Sequence, residues 1–283
     1  MEIRSLGGTG FDRIYEAFSR AFAGYEIQQD REQLRAMLKR RGFDPALSFA
    51  AFDEDEIAAF TFNGIGVFNG IPTAYDTGTG TLEAYRGQGL ATRVFEHSVP
   101  YLREMNIKQY LLEVLQHNTG AVSVYRNLGF ETSREFNYFS QKNEQVILGG
   151  RVPAIPCSIR EIDLETCRAL TGFHDFDPSW QNSFESIQRA AGDFIALGAF
   201  CDNGTAGYCI FEPAAGDIAL MAVEKQNRRK GIASMLLGEV CKRNRCDSVK
   251  VINTDIRCSS ITRFLEAKNI GLKGKQFEMI KIL

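Results

Sequence analysis

The sequence predicts a mixed α/β fold, built around a mixed sheet and present in two tandem copies. With 283 residues, the chain is long enough for two domains that each bury a core. The stretches "EAYRGQGLATRV" from residue 83 and "KQNRRKGIASML" from residue 225 repeat one Arg-x-x-Gly-x-Ala junction between a loop and a helix. Similar strands and helices surround both junctions in the same order. This repetition indicates an internal duplication.

A linker is predicted where two glycines and two prolines cluster between strand-like runs, at residues 149–156. It separates a first domain at residues 1–148 from a second domain at residues 157–283. Each domain begins with a short strand that contains Ile-Arg, "MEIRSL" in the first and "CSIREI" in the second. For each copy we therefore predict the order β-α-α-β-β-β-α-β-α-β.

The helices of the first half are predicted from spacing and capping. Apolar residues recur at helical spacing over residues 11–22, and Thr9 is the expected cap. Asp30 and Gln33 predict a capping box for a second helix, which Gly42 ends.

In the second half, Asn182 and Glu185 predict the start of the matching helix. Hairpins follow in both halves. The acidic residues 53–56 form a solvated turn in one hairpin, and Asn203-Gly204 is a strong turn signal in the other. Pro100 lies inside the helix after the first glycine loop and is expected to kink it or end its first part.

Composition narrows the classes of protein that this chain can belong to. The net charge of −2 and pI near 6.0 argue against a nucleic-acid-binding protein. No apolar run reaches the length of a spanning helix, so no membrane partner is expected. The N-terminus lacks the pattern of a signal peptide, and we expect a cytoplasmic protein. The oligomeric state cannot be predicted.

Cysteine and histidine placement gives no sign of a metal site or of disulfides. No Cys-x-x-Cys pair occurs, and the three histidines are far apart in the sequence. We therefore expect no metal and reduced thiols throughout. The seven cysteines all lie in the second half: Cys157, Cys167, Cys201, Cys209, Cys241, Cys246 and Cys258.

The first glycine loop has the features of a phosphate site. It follows a strand and opens a helix, so backbone N–H groups without helical partners point at the ligand. Gly87 and Gly89 permit left-handed backbone and close approach. The P-loop and dinucleotide-fold patterns are both absent. The preceding strand carries Gly78 and Gly80, which suggests a bulge or the close approach of another group.

Downstream, "YLLEVLQHNTGAVSVYRNLGF" spaces Glu113, Asn118 and Tyr125 by five and seven residues. Together with the loop, this stretch resembles the GNAT superfamily of N-acetyltransferases over about residues 1–140. The resemblance implies a central sheet that splays open between its fourth and fifth strands. The pantetheine arm of acetyl-CoA, the co-substrate, would lie in that gap.

The resemblance also assigns roles. Tyr125 would be the catalytic acid, and Glu113 the base or water-orienting group. The residues expected to bind acetyl-CoA are Thr79, Gly80, Thr81, Gly87, Gln88, Gly89, Leu90, Ala91, Thr92 and Asn118. Three alternatives stay open: Tyr125 as a packing aromatic, Glu113 as a support for the sheet opening, and Asn118 as a helix cap.

The acceptor site is less well defined by sequence. Tyr25 and Glu26, in the loop between the first two helices, are candidate lining residues, and Asp76 is a further acidic candidate. Surface or structural roles are favoured for all three, and we leave them out of the predicted catalytic set. The acceptor is expected to be a primary amine, on either a small molecule or a protein or peptide.

The second half resembles the same superfamily less completely. It keeps Arg228, Gly231 and Ala233 of the loop, and Arg229 and Lys230 add positive charge. Aligning the last helices places Phe264 at the position of Tyr125 and Arg257 at that of Asn118. Phenylalanine cannot donate a proton, so we expect a degenerate second domain. Two roles stay open for it: shaping the acceptor pocket, or binding an acyl-CoA without turnover.

The function predicted from sequence is an acetyl-CoA-dependent N-acetyltransferase with its chemistry in the first domain. Two alternatives come from other classes. One is a non-catalytic protein that binds or senses acyl-CoA, which would need only the loop. The other is an assembly scaffold with vestigial loops, which would not bind CoA.

Overall fold

A computed structural model describes residues 1–24, 28–149, 156–201 and 204–283. The predicted Tyr25, Glu26 and Asn203, and most of the predicted linker, lie outside the described residues. Both halves follow the predicted order of elements, so the mixed α/β fold in two copies is confirmed. No helix among the described residues is long and apolar enough to span a membrane.

The two halves contain twelve strands and eight helices within the described ranges. In the first half the strands are β1 (Glu2–Ser5), β2 (Phe49–Asp53), β3 (Glu56–Phe68), β4 (Ile71–Thr81), β5 (Gln109–Leu115) and β6 (Glu131–Lys142), and the helices are α1 (Phe11–Ala21), α2 (Arg31–Arg41), α3 (Leu90–Glu104) and α4 (Thr119–Asn127). In the second half the strands are β7 (Cys157–Glu161), β8 (Ile195–Cys201), β9 (Gly204–Glu212), β10 (Asp217–Val223), β11 (Ser248–Asp255) and β12 (Gly271–Ile282), and the helices are α5 (Leu164–Ala169), α6 (Phe184–Arg189), α7 (Ile232–Arg243) and α8 (Ser259–Ala267).

The first compact unit comprises residues 1–114, 118–133 and 278–283. Its sheet has the order β1-β2-β3-β4-β5, antiparallel except for the parallel pair β4–β5. Helix α1 packs Phe18 against Phe60 and Phe62 of β3 on one face. Helix α3 covers the other face, where apolar residues of α3 join those of β2 and β3 in one cluster.

The second compact unit comprises residues 115–117 and 134–277. Its strands run in the order β6-β11-β10-β9-β8-β7. Strand β6 pairs antiparallel with β11, and β10 pairs parallel with β11. Its largest core cluster combines α7 with strands β8 to β11 and includes Phe139 of β6.

The compact units do not follow a simple cut at residues 149–156. Residues 134–149 of the first half cluster with the second unit, because β6 pairs with β11 along residues 136–142. Residues 278–283, at the end of the second half, cluster with the first unit. There the Leu283 N–H donates to the Lys108 carbonyl at 2.9 Å, and the Lys281 ammonium donates to the Leu128 carbonyl at 2.6 Å. Each unit therefore contains a strand segment from the other half of the sequence.

Of the three helix N-caps predicted from the sequence, one is confirmed and two lie one residue away from the predicted position. The capping box of Asp30 and Gln33 is confirmed, and Gly42 ends α2 in left-handed backbone at φ +81°. Helix α1 is capped by Gly10, one residue after the predicted Thr9, and no side chain bonds there. Helix α6 is capped by Ser183, whose hydroxyl accepts from the Ser186 N–H, and not by the predicted Asn182.

Helix α3 runs through Pro100 without ending. Pro100 and Glu96 are both exposed, so the Glu96 carbonyl that loses its partner is on the water-facing side of the helix. The alternative in which Pro100 ends the first part of the helix is therefore wrong, and a kink at Pro100 stays a prediction.

Two cysteines form a disulfide, so the prediction of reduced thiols throughout is wrong. Cys157 of β7 and Cys201 of β8 face each other in the antiparallel pair, with their Cα atoms 4.3 Å apart. The two cysteines are 44 residues apart in the sequence, and nothing in that spacing indicated that they face each other across two strands. The other five cysteines are free.

Candidate active site

An opening in the sheet of the first unit forms the centre of the candidate site. Strands β4 and β5 pair in parallel only from Thr73↔Gln109 to Tyr75↔Leu111. Immediately after Tyr75, β4 has a bulge, because Asp76 and Gly78 face consecutive residues of β3 and leave Thr77 unpaired. The bulge bends β4, and no pairing with β5 follows it among the described residues. The sequence resemblance implied this separation of the fourth and fifth strands.

The bulge is held by hydrogen bonds to both sides. The Arg41 guanidinium of α2 donates to the Thr77 carbonyl at 3.0 Å, and the Thr77 hydroxyl donates to the Phe62 carbonyl at 3.0 Å. The backbone groups that the bulge removes from the ladder are thus partly satisfied by side chains.

The glycine loop has the predicted geometry. Gly87 and Gly89 lie in left-handed backbone, with φ +77° and +69°, and an added Cβ at either would meet no atom within 4 Å. Gly89 caps α3 without any side-chain bond, and the first amide bonded within the helix is that of Arg93. The N–H groups that precede Arg93 face an open, positively polarised helix end, which suits a diphosphate.

Arg86 of the loop motif points into the protein. Its guanidinium donates to the Thr81 carbonyl at 3.3 Å and to the Ala21 carbonyl at 3.1 Å, at the end of α1. This arginine therefore ties the loop to β4 and α1. Its guanidinium is thus used to hold the shape of the loop.

The two glycines of β4, Gly78 and Gly80, leave room for neighbouring side chains to pack against the strand. An added Cβ at Gly80 would lie 2.6 Å from the Phe60 ring and 3.0 Å from the Ala21 side chain, and one at Gly78 would lie 3.4 Å from Phe18. Glycine at these positions lets α1 approach β4 closely. The close approach suggested by the sequence is that of a helix on this face of the strand.

Tyr125 is held by a carboxylate that the predicted catalytic set left out. Its hydroxyl donates to Oδ2 of Asp76 at 2.9 Å, and the Thr79 hydroxyl donates to the same oxygen at 2.8 Å. Oδ1 of Asp76 is buried and has no hydrogen-bond partner within the described ranges. Burial raises the pKa of the Asp76 carboxyl, against the lowering effect of the bonds from Thr79 and Tyr125.

Glu113 also has a tyrosine partner. The buried Tyr75 hydroxyl donates to Oε2 of Glu113. Burial, followed by the negative charge of Glu113, raises the pKa of Tyr75 well above its ordinary value. This contact joins β4 to β5 at the edge of the opening, as the structural alternative for Glu113 predicted. It also holds the carboxylate in place beside the gap.

The two carboxylate–tyrosine pairs lie on opposite faces of the sheet. Tyr75 faces Gly64 and Asp76 faces Asn63 on β3, and consecutive strand residues point to opposite faces. Glu113, which Tyr75 binds, is therefore on the side of α1 and α2, and Tyr125 is on the side of α3. The sequence could not show this, because the faces depend on the register of the bulge.

Asn118 caps α4, because its side-chain oxygen accepts from the Ala121 N–H at 3.2 Å. The alternative that Asn118 caps a helix is therefore confirmed for its side-chain oxygen. Its side-chain NH₂ group takes no part in that bond. Thr79, Gly80 and Thr81 lie on β4 beyond the bulge, along the edge that no longer pairs with β5.

The second unit repeats the glycine loop closely. Gly231 caps α7 in left-handed backbone at φ +91°, and Arg229 takes the left-handed place of Gly87 at φ +63°. Arg228 donates to the Val223 carbonyl at 3.0 Å and to the Phe173 carbonyl at 3.2 Å, which reproduces both bonds of Arg86.

The candidate catalytic side chains are not repeated, and the predicted alignment of the last helices was off by one residue. Helices α4 and α8 begin after Asn118 and after Cys258, so Cys258 takes the place of Asn118. Counting from these caps, Leu265 takes the place of Tyr125. Arg257 instead pairs with Asp255, with its side chain 78% exposed.

Comparison with known proteins finds a matching family model and a curated relative. Residues 11–130 match the model of the acetyltransferase (GNAT) family. A curated relative, N-alpha-acetyltransferase 30 of Schizosaccharomyces pombe, is 29% identical over 97 residues, which is 34% of this chain and 65% of the relative.

Solved structures show that the likeness of fold covers almost the whole chain. A GCN5-related N-acetyltransferase from Sphaerobacter thermophilus matches with a TM-score of 0.71 and 17% identity, covering 99% of this chain and 95% of that one. A tandem GNAT protein from the clavulanic acid biosynthesis pathway matches with a TM-score of 0.73 and 13% identity, covering 99% and 98%.

Proposed function

We propose that this chain, a GNAT-superfamily protein with two tandem copies of the fold, uses its first unit to transfer an acetyl group from acetyl-CoA to a primary amine. The observation that carries this proposal is the opening between β4 and β5, which has a carboxylate and a tyrosine bonded to each other on each face. A site that only held a ligand would not need ionisable groups on both sides of the gap.

The loop and the free edge of β4 are suited to hold the donor. We assign the diphosphate to the amides from Gly87 to Thr92 and the pantetheine arm to Thr79, Gly80 and Thr81. The amide NH₂ of Asn118 supplies a further donor at the edge of the gap. The thioester then lies between the two faces, within reach of both.

The reaction needs a neutral amine, although an ordinary alkylamine has a pKa of about 10.4. We assign the amine to the face of α1 and α2, where Glu113 accepts its proton directly or through water. The amine nitrogen attacks the thioester carbon, the carbon–sulfur bond breaks, and the nitrogen releases its second proton to water. Tyr125, on the other face, donates a proton to the departing thiolate, and Asp76 holds its hydroxyl in position.

A thiol-release assay tests this function. Wild-type protein is mixed with acetyl-CoA and three kinds of acceptor: a peptide with a free α-amine, an N-blocked lysine peptide and an amino sugar. Tyr125→Phe should lower kcat by roughly 100-fold with little change in KM for acetyl-CoA, because a general acid contributes about that much. Unchanged kcat would remove Tyr125 from this role.

The alternative function, a non-catalytic acyl-CoA sensor, gives a different result in the same experiment. Such a protein would bind acetyl-CoA in a calorimeter and release no thiol with any acceptor. Thr92→Glu is the matched binding variant, because an acidic side chain in the first turn favours the helix but repels the diphosphate. We expect it to abolish thiol release by preventing donor binding.

A further inference from the structure

The second unit contains a pocket of about 650 Å³ at the place that corresponds to the opening in the first. It is lined by β10, by β11, by α7 and α8, and by the segment that contains Phe173 and Asp175. Strands β10 and β11 pair in register only at Asp217↔Lys250, and β10 has a bulge at Ala219, so the strands separate as β4 and β5 do. The volume is within the usual range for small-molecule sites.

The lining of this pocket favours an anionic ligand with an apolar arm. One acidic side chain, Asp175, lines it and is already paired with Arg228 at 3.0 Å. Apolar residues from three elements, Met221, Leu237 and Phe264 among them, form much of the remaining wall. The basic residues of the lining outnumber the acidic one and are Arg228, Arg229, Arg263 and Lys268.

The positions that correspond to Tyr125, Glu113 and Asp76 carry no acid or base in this unit. Counted from the helix caps, Leu265 replaces Tyr125 and Asn253 replaces Glu113. The Asn253 side chain is occupied within the protein, since it donates to the Ser179 hydroxyl at 3.0 Å and accepts from Gln276 at 2.8 Å. Counted from the two loops, Ile218 replaces Asp76.

We propose that the second unit is a binding site for a coenzyme A thioester that does not react there. Its diphosphate lies on the amides at the start of α7, beside Arg229, and its pantetheine arm lies between β10 and β11. The identity of the ligand rests on the proposed function of the first unit, because the two loops share their backbone and both bonds of their arginines. The chain then holds two such molecules, of which one is consumed.

Calorimetry with acetyl-CoA, in the absence of any amine, tests this proposal with a matched pair of variants. Ser234 in the first turn of α7 corresponds to Thr92 in the first turn of α3, three residues after the capping glycine in each case. Ser234→Glu and Thr92→Glu both place an acid where it favours the helix and repels a diphosphate, so both variants should fold. Thermal unfolding followed by circular dichroism confirms this.

We expect two molecules of acetyl-CoA per wild-type chain and one per chain of either variant, with affinity for the lost site reduced at least about tenfold. One wild-type site that only Thr92→Glu removes would overturn this inference and leave the proposed function intact. One site that only Ser234→Glu removes would instead contradict the donor site of the first unit. Two sites that neither variant affects would show adventitious binding and overturn the inference.

A second measurement locates the ligand within the unit. Cys258 lines the pocket and Cys246 does not, and both are free thiols. Alkylation by iodoacetamide, followed by mass spectrometry, should slow several-fold at Cys258 and stay constant at Cys246 when acetyl-CoA is added. Adenosine 3′,5′-bisphosphate, the nucleotide part alone, should protect Cys258 less. Alkylation of Cys258 that acetyl-CoA leaves unchanged would contradict the proposed placement.

Discussion

At the residue scale, Asp76 determines where the hydroxyl hydrogen of Tyr125 points. Two hydroxyl groups donate to one of its oxygens, and its other oxygen is buried without a hydrogen-bond partner among described residues. The sequence marked Asp76 only as an acidic candidate for the acceptor site. Its contact with Tyr125, 49 residues away, depends on the bulge at Thr77, which turns Asp76 toward α4.

We predict that Asp76→Asn lowers kcat about fivefold, because a bond to a neutral amide is weaker than one to a carboxylate by about 1 kcal/mol. The amide keeps the shape and can still accept from Tyr125, so thermal stability should change little. Steady-state thiol release measures the effect. If kcat is unaffected, Asp76 does not position the acid.

The pH dependence of kcat, in wild type and in variants of Asp76 and Thr79, separates a positioning role of Asp76 from simple packing. Burial raises the pKa of Asp76, so wild-type kcat should fall as pH falls through a value above the ordinary aspartate range. Asp76→Asn should lose this acidic limb. Thr79→Val removes a bond that lowers the pKa of Asp76 and should move the limb to higher pH, whereas Thr79→Ser should not. Identical profiles in all four proteins would assign the limb to another group.

At the element scale, the elements themselves were predictable and their close contacts were not. Helical spacing, the capping box at Asp30 and the glycine loops are local signals, and they gave the correct order of strands and helices in both halves. The glycines of β4 were also recognised as unusual. Which group approaches them is a tertiary matter, settled by α1 packing on this strand.

The two strand glycines give a matched prediction for this packing. Gly80→Ala should destabilise the protein by about 1–3 kcal/mol, since its Cβ would overlap the Phe60 ring, and overpacking of a rigid core has that cost. Gly78→Ala places its Cβ at ordinary contact distance and should be nearly neutral. Urea unfolding measures both variants. If Gly80→Ala were as nearly neutral as Gly78→Ala, the packing around Gly80 would adjust easily to an added methyl group.

The disulfide of β7 and β8 gives a prediction for the second unit. Reduction should lower its stability by about 2–4 kcal/mol, because the bond closes a long loop in the unfolded chain. Trp180 is the single tryptophan and is buried in this unit, so its fluorescence reports the unfolding. In Cys157→Ser, the reducing agent should have no further effect. A wild-type transition that does not respond to reduction would show that the bond contributes nothing.

At the scale of the whole molecule, the duplication was visible in the sequence and the exchange of strand segments was not. Both copies keep the order of elements, which periodicity and glycine loops reveal. The alternation of polar and apolar residues along β6 indicates which side chains share a face of the sheet. It does not indicate which strand β6 pairs with. The proposed division into a reactive copy and a binding copy rests on the side chains at Tyr125 and Leu265, and the helix caps are what align these two positions.

The exchange makes the end of the chain part of the first unit, and this gives the last prediction. Removing residues 278–283 deletes Met279, which is fully buried, together with the bonds to Lys108 and Leu128. Loss of a buried Met side chain costs about 2–5 kcal/mol, so the first unit should unfold at lower temperature and thiol release should fall. Far-ultraviolet circular dichroism should show an earlier transition, whereas Trp180 fluorescence, which reports the second unit, should shift less. Ile282→Ser, at a residue that is 73% exposed, is the control and should behave as wild type. If truncation instead moved the Trp180 transition and left thiol release intact, the last residues would stabilise the unit to which they are adjacent in sequence.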